Sequence, residues 1–404
     1  MRWDVFCRVV DNYGDAGVCW RLARQLAREH GFDVTLWIDR VATLAKIEPA
    51  IDPRPARQVH RGVTVAALDA RAGDAVTGAV RAAADSAGAA FDPGDVVIEG
   101  FGCGLPARYL DAMEARKHPP LWINLEYLSA EPWVDGVHGL ASRHPQRPLT
   151  RYFWFPGFTA KTGGLIREAG LIEARDAAQR EHSHAWPASG EHAAAGRADG
   201  AAPVSFAAPE LSIVLFCYAN RALPALFDLW ARGDRPMRCI VPEGIASAEL
   251  AGWLGSAVPP APRRLTRDRL TIEWRPFTSQ DAFDRLLWAS DVNFVRGEDS
   301  FVRAQWAAKP FVWQPYPQEG RAQAAKLEAF LARHLPDASN PSQQAQRRLM
   351  RAFDAEDPAG VARAWPGFHA ALESAGARAR EWAATLAGEP DLVTQLVEFA
   401  RTKL

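Results

Sequence analysis

The stretch VFCRVVDNYGDAGVCWRLARQLA, residues 5–27, carries the pattern from which the fold is read. VFCRVV is a short apolar run that reads as a strand. Asn12 and Gly14 favour a turn. Val18, Leu22 and Leu26 then recur at helical spacing, with Cys19, Ala23 and Ala27 beside them, and Gly31 is a stop signal. A strand that turns tightly into a helix is the opening unit of a doubly wound sheet. The turn carries two carboxylates, Asp11 and Asp15. A helix start after a strand commonly receives a phosphate, because its N–H groups attract anions. Two fixed negative charges oppose that and suit a cation instead. Asp15 also reads as a cap for a helix starting near Gly17, since aspartate is a preferred cap. A cap explains one acid and not the pair. The pair is suited to gripping a guanidinium, with one carboxylate accepting a proton. G-x-G-x-x-G is absent here, which counts against a nicotinamide or flavin enzyme.

The same alternation continues outward. DVTLWI, VTVAAL, DVVIEGF and LWINLEYL read as strands, with RYLDAMEARK a helix between the last two. After residue 208 it resumes: LSIVLFCY, MRCIVPEG, LTIEWRPF, DVNFV and PFVWQP as strands, and ALPALFDLWARG, TSQDAFDRLLWAS and SFVRAQWAA as helices. Strands rich in Val, Ile and aromatics alternating with helices predict parallel sheets covered by helices. Between lies a tract rich in Ala, Gly, Ser, Pro and charge that has little to build a core. Its histidines, His182, His184 and His192, read as solvated. The expected organisation is a first doubly wound domain over 1–175, a flexible insertion or linker over 176–208, a second doubly wound domain over 209–375, and a helical tail over 376–404 that crosses back to the first domain.

Composition narrows the function. The chain has 404 residues, 48% hydrophobic and 24% charged, with a formal net charge of -1. That fits a soluble globular protein and argues against a generally basic nucleic-acid binder. Its five cysteines form no C-x-x-C pair and most sit in apolar runs, as free buried thiols do in a reducing compartment. The N-terminal segment has no signal-peptide apolar core, and no apolar run is long enough to span a bilayer. A cytoplasmic location is expected. G-x-S-x-G, the Walker loop and H-E-x-x-H are all missing.

Two further stretches carry candidate chemistry. In RGEDSFVRAQWAAKPFVW, residues 296–313, Ser300 reads as the cap of the helix. Arg296 and the helix N–H groups suit a diphosphate, and Glu298 and Asp299 suit sugar hydroxyls. The competing reading is a capped surface helix with a salt bridge. The aromatics Phe216, Tyr218, Phe277 and Phe283 lie at or near strand ends, with Gln280 among them. They suit stacking on a nucleobase whose polar edge Gln280 reads, although core packing explains any single phenylalanine as well.

DNYGDAGVCWRLARQLA, FPGFTAKTGGL (155–165) and RGEDSFVRAQWAAKPFVW together resemble the bacterial protein-arginine rhamnosyltransferases that modify translation elongation factor P. The resemblance covers both domains and leaves out the tract at 176–208. It implies a GT-B fold: two Rossmann-like doubly wound domains facing each other across a cleft. It implies an inverting glycosyltransferase that moves L-rhamnose from dTDP-β-L-rhamnose to one arginine of elongation factor P, activating that factor for rescue of ribosomes stalled at consecutive prolines. By the same resemblance Asp15 is the general base and Asp11 its neighbouring acid. Phe216, Tyr218, Phe277, Gln280 and Phe283 form the nucleotide pocket. Arg296, Glu298, Asp299 and Ser300 hold diphosphate, ribose and sugar. No metal or other cofactor, no direct nucleic-acid contact and no membrane are expected. Two alternatives stand beside it: a glycosyltransferase with another nucleotide sugar or acceptor, and a non-catalytic nucleotide-binding partner of elongation factor P.

Overall fold

A computed structural model describes residues 1–11, 13–68, 91–184, 210–258 and 260–404. The first half builds an eight-stranded sheet. Its strands are β1 (Arg2–Cys7), β2 (Asp33–Ile38), β3 (Arg57–His60), β4 (Val63–Ala67), β5 (Val96–Gly100), β6 (Leu121–Leu125), β7 (Ala141–Arg143) and β8 (Thr150–Trp154). Their order is β3-β4-β2-β1-β5-β6-β8-β7. Among the described residues only the two edge pairs, β3 with β4 and β7 with β8, are antiparallel. The chain leaves β1 in one direction along the sheet and returns for β5 on its other side, so β1 and β5 flank the switch point where doubly wound sheets bind ligands.

Period-2 alternation in β1 explains the two covered faces. Trp3, Val5 and Cys7 pack into a core with helix α1 (Gly14–His30), whereas Phe6 turns the other way onto Tyr109 and Met113 of helix α3 (Ala107–Ala115). Helix α2 (Val41–Ile47) joins the α1 side through Val41, Leu44 and Ile47. The observed strand Arg2–Cys7 ends before Arg8, so VFCRVV is corrected at its C-terminal end: Arg8, Val9 and Val10 already belong to the loop that leads toward α1.

The second half builds a six-stranded sheet from β9 (Leu211–Leu215), β10 (Met237–Pro242), β11 (Arg263–Arg267), β12 (Leu270–Arg275), β13 (Val292–Arg296) and β14 (Phe311–Gln314). The order is β11-β12-β10-β9-β13-β14, parallel except for the β11–β12 hairpin. Its switch point lies between β9 and β13. Helices α5 (Leu223–Ala231), α6 (Ser247–Leu254), α7 (Gln280–Ala289) and α8 (Asp299–Trp306) connect these strands. Two such sheets, meeting at the carboxyl ends of their strands, give the GT-B arrangement.

Two expectations about the connections change. Helix α4 (Leu171–His184) runs through the boundary expected at 176. It is anchored to the second half: Arg175 Nη1 donates to the Trp306 carbonyl at 2.9 Å, and Gln179 Nε2 to the Ala307 carbonyl at 2.9 Å. Alanine and charged residues are good helix formers once such anchors exist. The side chains of 182–184 and all of residues 185–209 lie outside the described residues, and with them the readings of the rest of the tract and of its histidines. At the other end, helices α9 (Gln323–His334), α10 (Pro341–Asp354), α11 (Pro358–Ala370) and α12 (Leu372–Ala387) all contribute to the core of the second half. Only α13 (Leu392–Lys403) crosses over, burying Leu392, Val393, Leu396, Val397 and Ala400 in the core of the first sheet. Among the described residues no helix is long and apolar enough to cross a membrane.

Candidate active site

The loop after β1 faces the loops after β9, β12 and β13 across a cleft of about 540 Å³. Asp11 and Asp15 sit on the first side, both buried. Asp15 is not a helix cap, because α1 begins at Gly14. Its Oδ2 instead accepts the backbone N–H groups of Val10 at 2.7 Å and Asp11 at 2.8 Å, which folds the loop back on itself. The Asp11 carbonyl accepts the Gly14 N–H at 2.6 Å and completes the turn. The turn role of Asn12 falls outside the described residues.

Asp11 reaches across the cleft. Its Oδ2 accepts the phenol O–H of Tyr218 at 2.6 Å. This contact explains a glycine on the far side. Gly297 has φ +57, and a Cβ there would stand 2.6 Å from Asp11 Oδ2 and 2.7 Å from the Tyr218 hydroxyl. Burial pushes the Asp11 carboxyl above its ordinary value, and the Tyr218 hydrogen bond and the Arg296 charge only partly oppose it. Burial likewise pushes Asp15 up, against its two backbone hydrogen bonds and one from Tyr127.

Opposite the acids stands an aromatic wall around one cation. Arg296, at the end of β13, donates through Nη1 to the Cys217 carbonyl at 3.1 Å. Its guanidinium lies 4.6 Å from the Tyr218 ring centre and 4.7 Å from that of Phe216. Phe216 packs on Phe283 at 4.9 Å and on Phe277 at 6.3 Å, and Phe277 meets Tyr13 at 4.5 Å. Gln280 is buried at the base of this wall. Its Nε2 donates to Asp299 Oδ2 at 2.8 Å and to the Gly17 carbonyl at 3.2 Å, and its Oε1 is buried without a partner. A buried acceptor left unpaired is costly unless a ligand supplies the donor.

Ser300 is also not a cap. Glu298 holds the N-cap position of α8, without a capping hydrogen bond from its side chain. Ser300 Oγ donates to the Arg296 carbonyl at 2.6 Å and accepts the Arg296 N–H at 3.0 Å, closing the turn that carries Arg296 into the cleft. Ser279 caps α7, accepting the Ala282 N–H at 3.3 Å.

Eight of the eleven residues singled out in the sequence line the cleft: Asp11, Phe216, Phe277, Gln280, Phe283, Arg296, Asp299 and Ser300. The other three stand beside it. Asp15 lies under the loop, and Tyr218 links Asp11 to Arg296. Glu298 turns toward the acids, where its Oε1 accepts the Leu128 N–H at 2.8 Å. Burial raises its carboxyl, opposed by Lys326 and reinforced by Asp15 and Asp11. Tyr13, Ile47, Pro242 and Thr278 also line the cleft and were not singled out. An aromatic residue next to Asn12 gives no periodic signal, so only its place in the turn hinted at Tyr13.

A buried ionic joint, also missed, holds the two sides together. Asp284 accepts two hydrogen bonds from Arg21, at 3.1 and 3.0 Å, and two from Arg303, at 3.0 and 2.7 Å. Glu168 pairs with Arg303 at 2.6 Å and Arg21 at 3.3 Å. Burial would raise Glu168, but the Arg303 and Arg21 charges overrule it and hold it well below the usual carboxylate range. Arg21 and Arg303 are 1% and 2% exposed, so their charges depend on these partners. Among the described residues no group of three or more His, Cys, Asp or Glu is placed to hold a metal ion.

Comparison with known proteins shows the family. The family model described as elongation factor P rhamnosyltransferase EarP matches residues 3–401. A protein-arginine rhamnosyltransferase of Pseudomonas putida is 44% identical over 402 residues, covering 100% of this chain and 99% of the relative. One of Pseudomonas aeruginosa is 43% identical and covers 98% of each. A solved structure that describes EarP-mediated arginine glycosylation of translation elongation factor EF-P superposes with a TM-score of 0.63 at 32% identity, covering 100% of this chain and 99% of that one. The chain belongs to the family of elongation factor P rhamnosyltransferases, enzymes that transfer a glycosyl group to arginine.

Proposed function

We propose that this protein transfers L-rhamnose from dTDP-β-L-rhamnose to the guanidinium of one arginine of translation elongation factor P, with inversion at the anomeric carbon. The observation that carries the reading is the paired-carboxylate loop set directly against an aromatic wall and a single guanidinium, joined by the hydrogen bond from Tyr218 to Asp11 at 2.6 Å. The acids suit a cationic acceptor and the wall suits a nucleoside diphosphate.

Each group has a task. Asp11 and Asp15 orient the acceptor guanidinium through charge-assisted hydrogen bonds, and Glu298 adds a third carboxyl group on that side. As an acceptor nitrogen bonds to the anomeric carbon, the carbon–oxygen bond to the diphosphate breaks and its electron pair leaves with the diphosphate. The nitrogen's proton passes to Asp15. The raised position of that carboxyl makes it a stronger base than an exposed aspartate. Arg296 and the start of α8 take up the charge on the leaving diphosphate, and the scheme uses no metal. Phe216, Phe277 and Phe283 enclose the base. The unpaired Gln280 Oε1 accepts from a nucleobase N–H. Asp299 and Ser300, which line the cleft, receive ribose and sugar hydroxyls in this reading. A soluble translation factor as acceptor places the protein in the cytoplasm.

The test is intact-protein mass spectrometry of unmodified elongation factor P incubated with this protein and dTDP-β-L-rhamnose. A gain of one deoxyhexosyl unit, lost when the acceptor arginine becomes lysine, is the expected result. Gain only with another nucleotide sugar would move the donor assignment. Binding of the factor without any gain would favour a docking role.

A further inference from the structure

Helix α1 closes the first core with one side and meets the opposite sheet with the other. On that second side it touches the residues assigned to the donor. Arg21 Nε donates to Asp299 Oδ1 at 2.8 Å. Gln280 Nε2 donates to Asp299 Oδ2 at 2.8 Å and leans at 3.2 Å on the carbonyl of Gly17. Both oxygens of Asp299 are therefore fixed from α1, one directly and one through Gln280. The approach is close enough to need a glycine. A Cβ at position 17 would lie 2.9 Å from Asp299 Oδ2 and 2.9 Å from Gln280 Nε2. Arg21 is itself held by Asp284 and Glu168, which leaves its guanidinium no room to turn. Neither Gly17 nor Arg21 is among the residues lining the cleft, and the Arg21 side chain is buried behind Asp299 with its donors engaged by protein carboxylates.

We propose that Gly17 and Arg21 are positioning residues for the donor site: helix α1 of the acceptor side sets Gln280 and Asp299 in the geometry that receives the nucleotide sugar. The donor site is then complete only while the two sides are closed on each other. A carboxylate with two fixed hydrogen bonds presents its remaining lone pairs in set directions, which is how a supporting contact acts on a ligand it never touches. The inference rests on the donor-binding reading of Gln280 and Asp299.

Gly17→Ala separates positioning from folding. The atoms a methyl group would strike are the ends of two flexible side chains, which can move aside. Alanine is also the better helix former, which offsets part of the cost of displacing them, so the thermal midpoint should fall only slightly. The donor KM should rise about tenfold while kcat changes far less, the pattern of lost uniform binding. Arg21→Lys keeps the charge beside Asp284 but loses the Nε donor, and it should raise the donor KM in the same way. Asp299→Asn provides the reference. Adding Gly17→Ala to it should raise KM little further, because both act through one side chain. If Asp299→Asn leaves the donor KM unchanged, the donor-site reading falls and the inference with it. If Asp299→Asn raises KM while Gly17→Ala and Arg21→Lys keep the wild-type value, the inference is overturned and the donor-site reading stands.

Discussion

Asp284 is the residue on which the ionic joint turns, and its replacement by alanine has a size that follows from the contacts. Its carboxylate is 4% exposed and accepts four hydrogen bonds from two guanidiniums that are almost fully buried. Counting each bond at about 1.5–3 kcal/mol would overshoot, because bond energies of one cluster do not add. Arg21 also keeps Asp299 and Glu168, and Arg303 keeps Glu168. The relevant cost is that of buried charge left short of partners, about 3–5 kcal/mol. Asp284→Asn should fare little better, since its amide N–H groups would point at donors. The assay is urea unfolding followed by tryptophan fluorescence and far-UV circular dichroism together. Arg21 lies on α1 of the first half, and Asp284 and Arg303 on α7 and α8 of the second, so the two probes should separate in the variant as the halves uncouple. The deficit should persist at roughly 1 M salt, because buried pairs are poorly screened. A loss below about 1 kcal/mol, or one that salt abolishes, would show that the joint behaves as a surface ion pair and would refute the reasoning.

Other expectations follow from the same contacts. Transfer requires ionised carboxylates, and burial raises both Asp11 and Asp15. The acid limb of kcat/KM, belonging to the cluster as a whole, should therefore lie above the ordinary aspartate value of 3.8, with activity falling as pH drops through it; a limb at or below that value would contradict the burial argument. Arg296→Lys keeps a cation but loses the planar contact with Phe216 and Tyr218, and it should weaken dTDP binding by about 1–2 kcal/mol in calorimetry, with unchanged affinity as the adverse result. Burial and the neighbouring Glu99 push the Cys103 thiol up to about 12, and burial pushes Cys217 up to about 12. Native protein at pH near 8 should then resist thiol labelling that urea restores, whereas rapid native labelling of Cys103 would show a thiolate that the structure does not support.

What the sequence makes legible is what is local. The passage from β1 into α1 shows in the apolar run, the Gly14 turn and the spacing of Val18, Leu22 and Leu26. The strands β9 and β13 show as apolar runs that end in polar loops, and these ends carry Phe216 and Arg296 to the cleft. The edge strands β3, β7 and β11 are largely exposed and charged, so no hydrophobic pattern marks them. The part of α4 after residue 175 reads as linker because its composition gives no core-forming stripe, and the helix's anchors, Trp306 and Ala307, lie more than a hundred residues away. Arg21 shows the same limit more sharply. On a helix whose apolar side faces the first core, an arginine on the other side reads as solvated, yet the second sheet buries it. The capping roles read for Asp15 and Ser300 failed for a related reason. Both side chains bind backbone within their own turns, and residue type alone does not distinguish that from a cap.

The division of labour across the cleft is tested most directly by Asp15→Asn. An asparagine oxygen can still accept the Val10 and Asp11 N–H groups, so the loop should keep its fold. Donor binding by calorimetry and transfer by intact-protein mass spectrometry are measured on the same preparation. If Asp15 is the base and the donor is held from the other side, dTDP-β-L-rhamnose binds as before and elongation factor P gains no mass. Retained transfer, or loss of donor binding with the fold intact, would contradict that division.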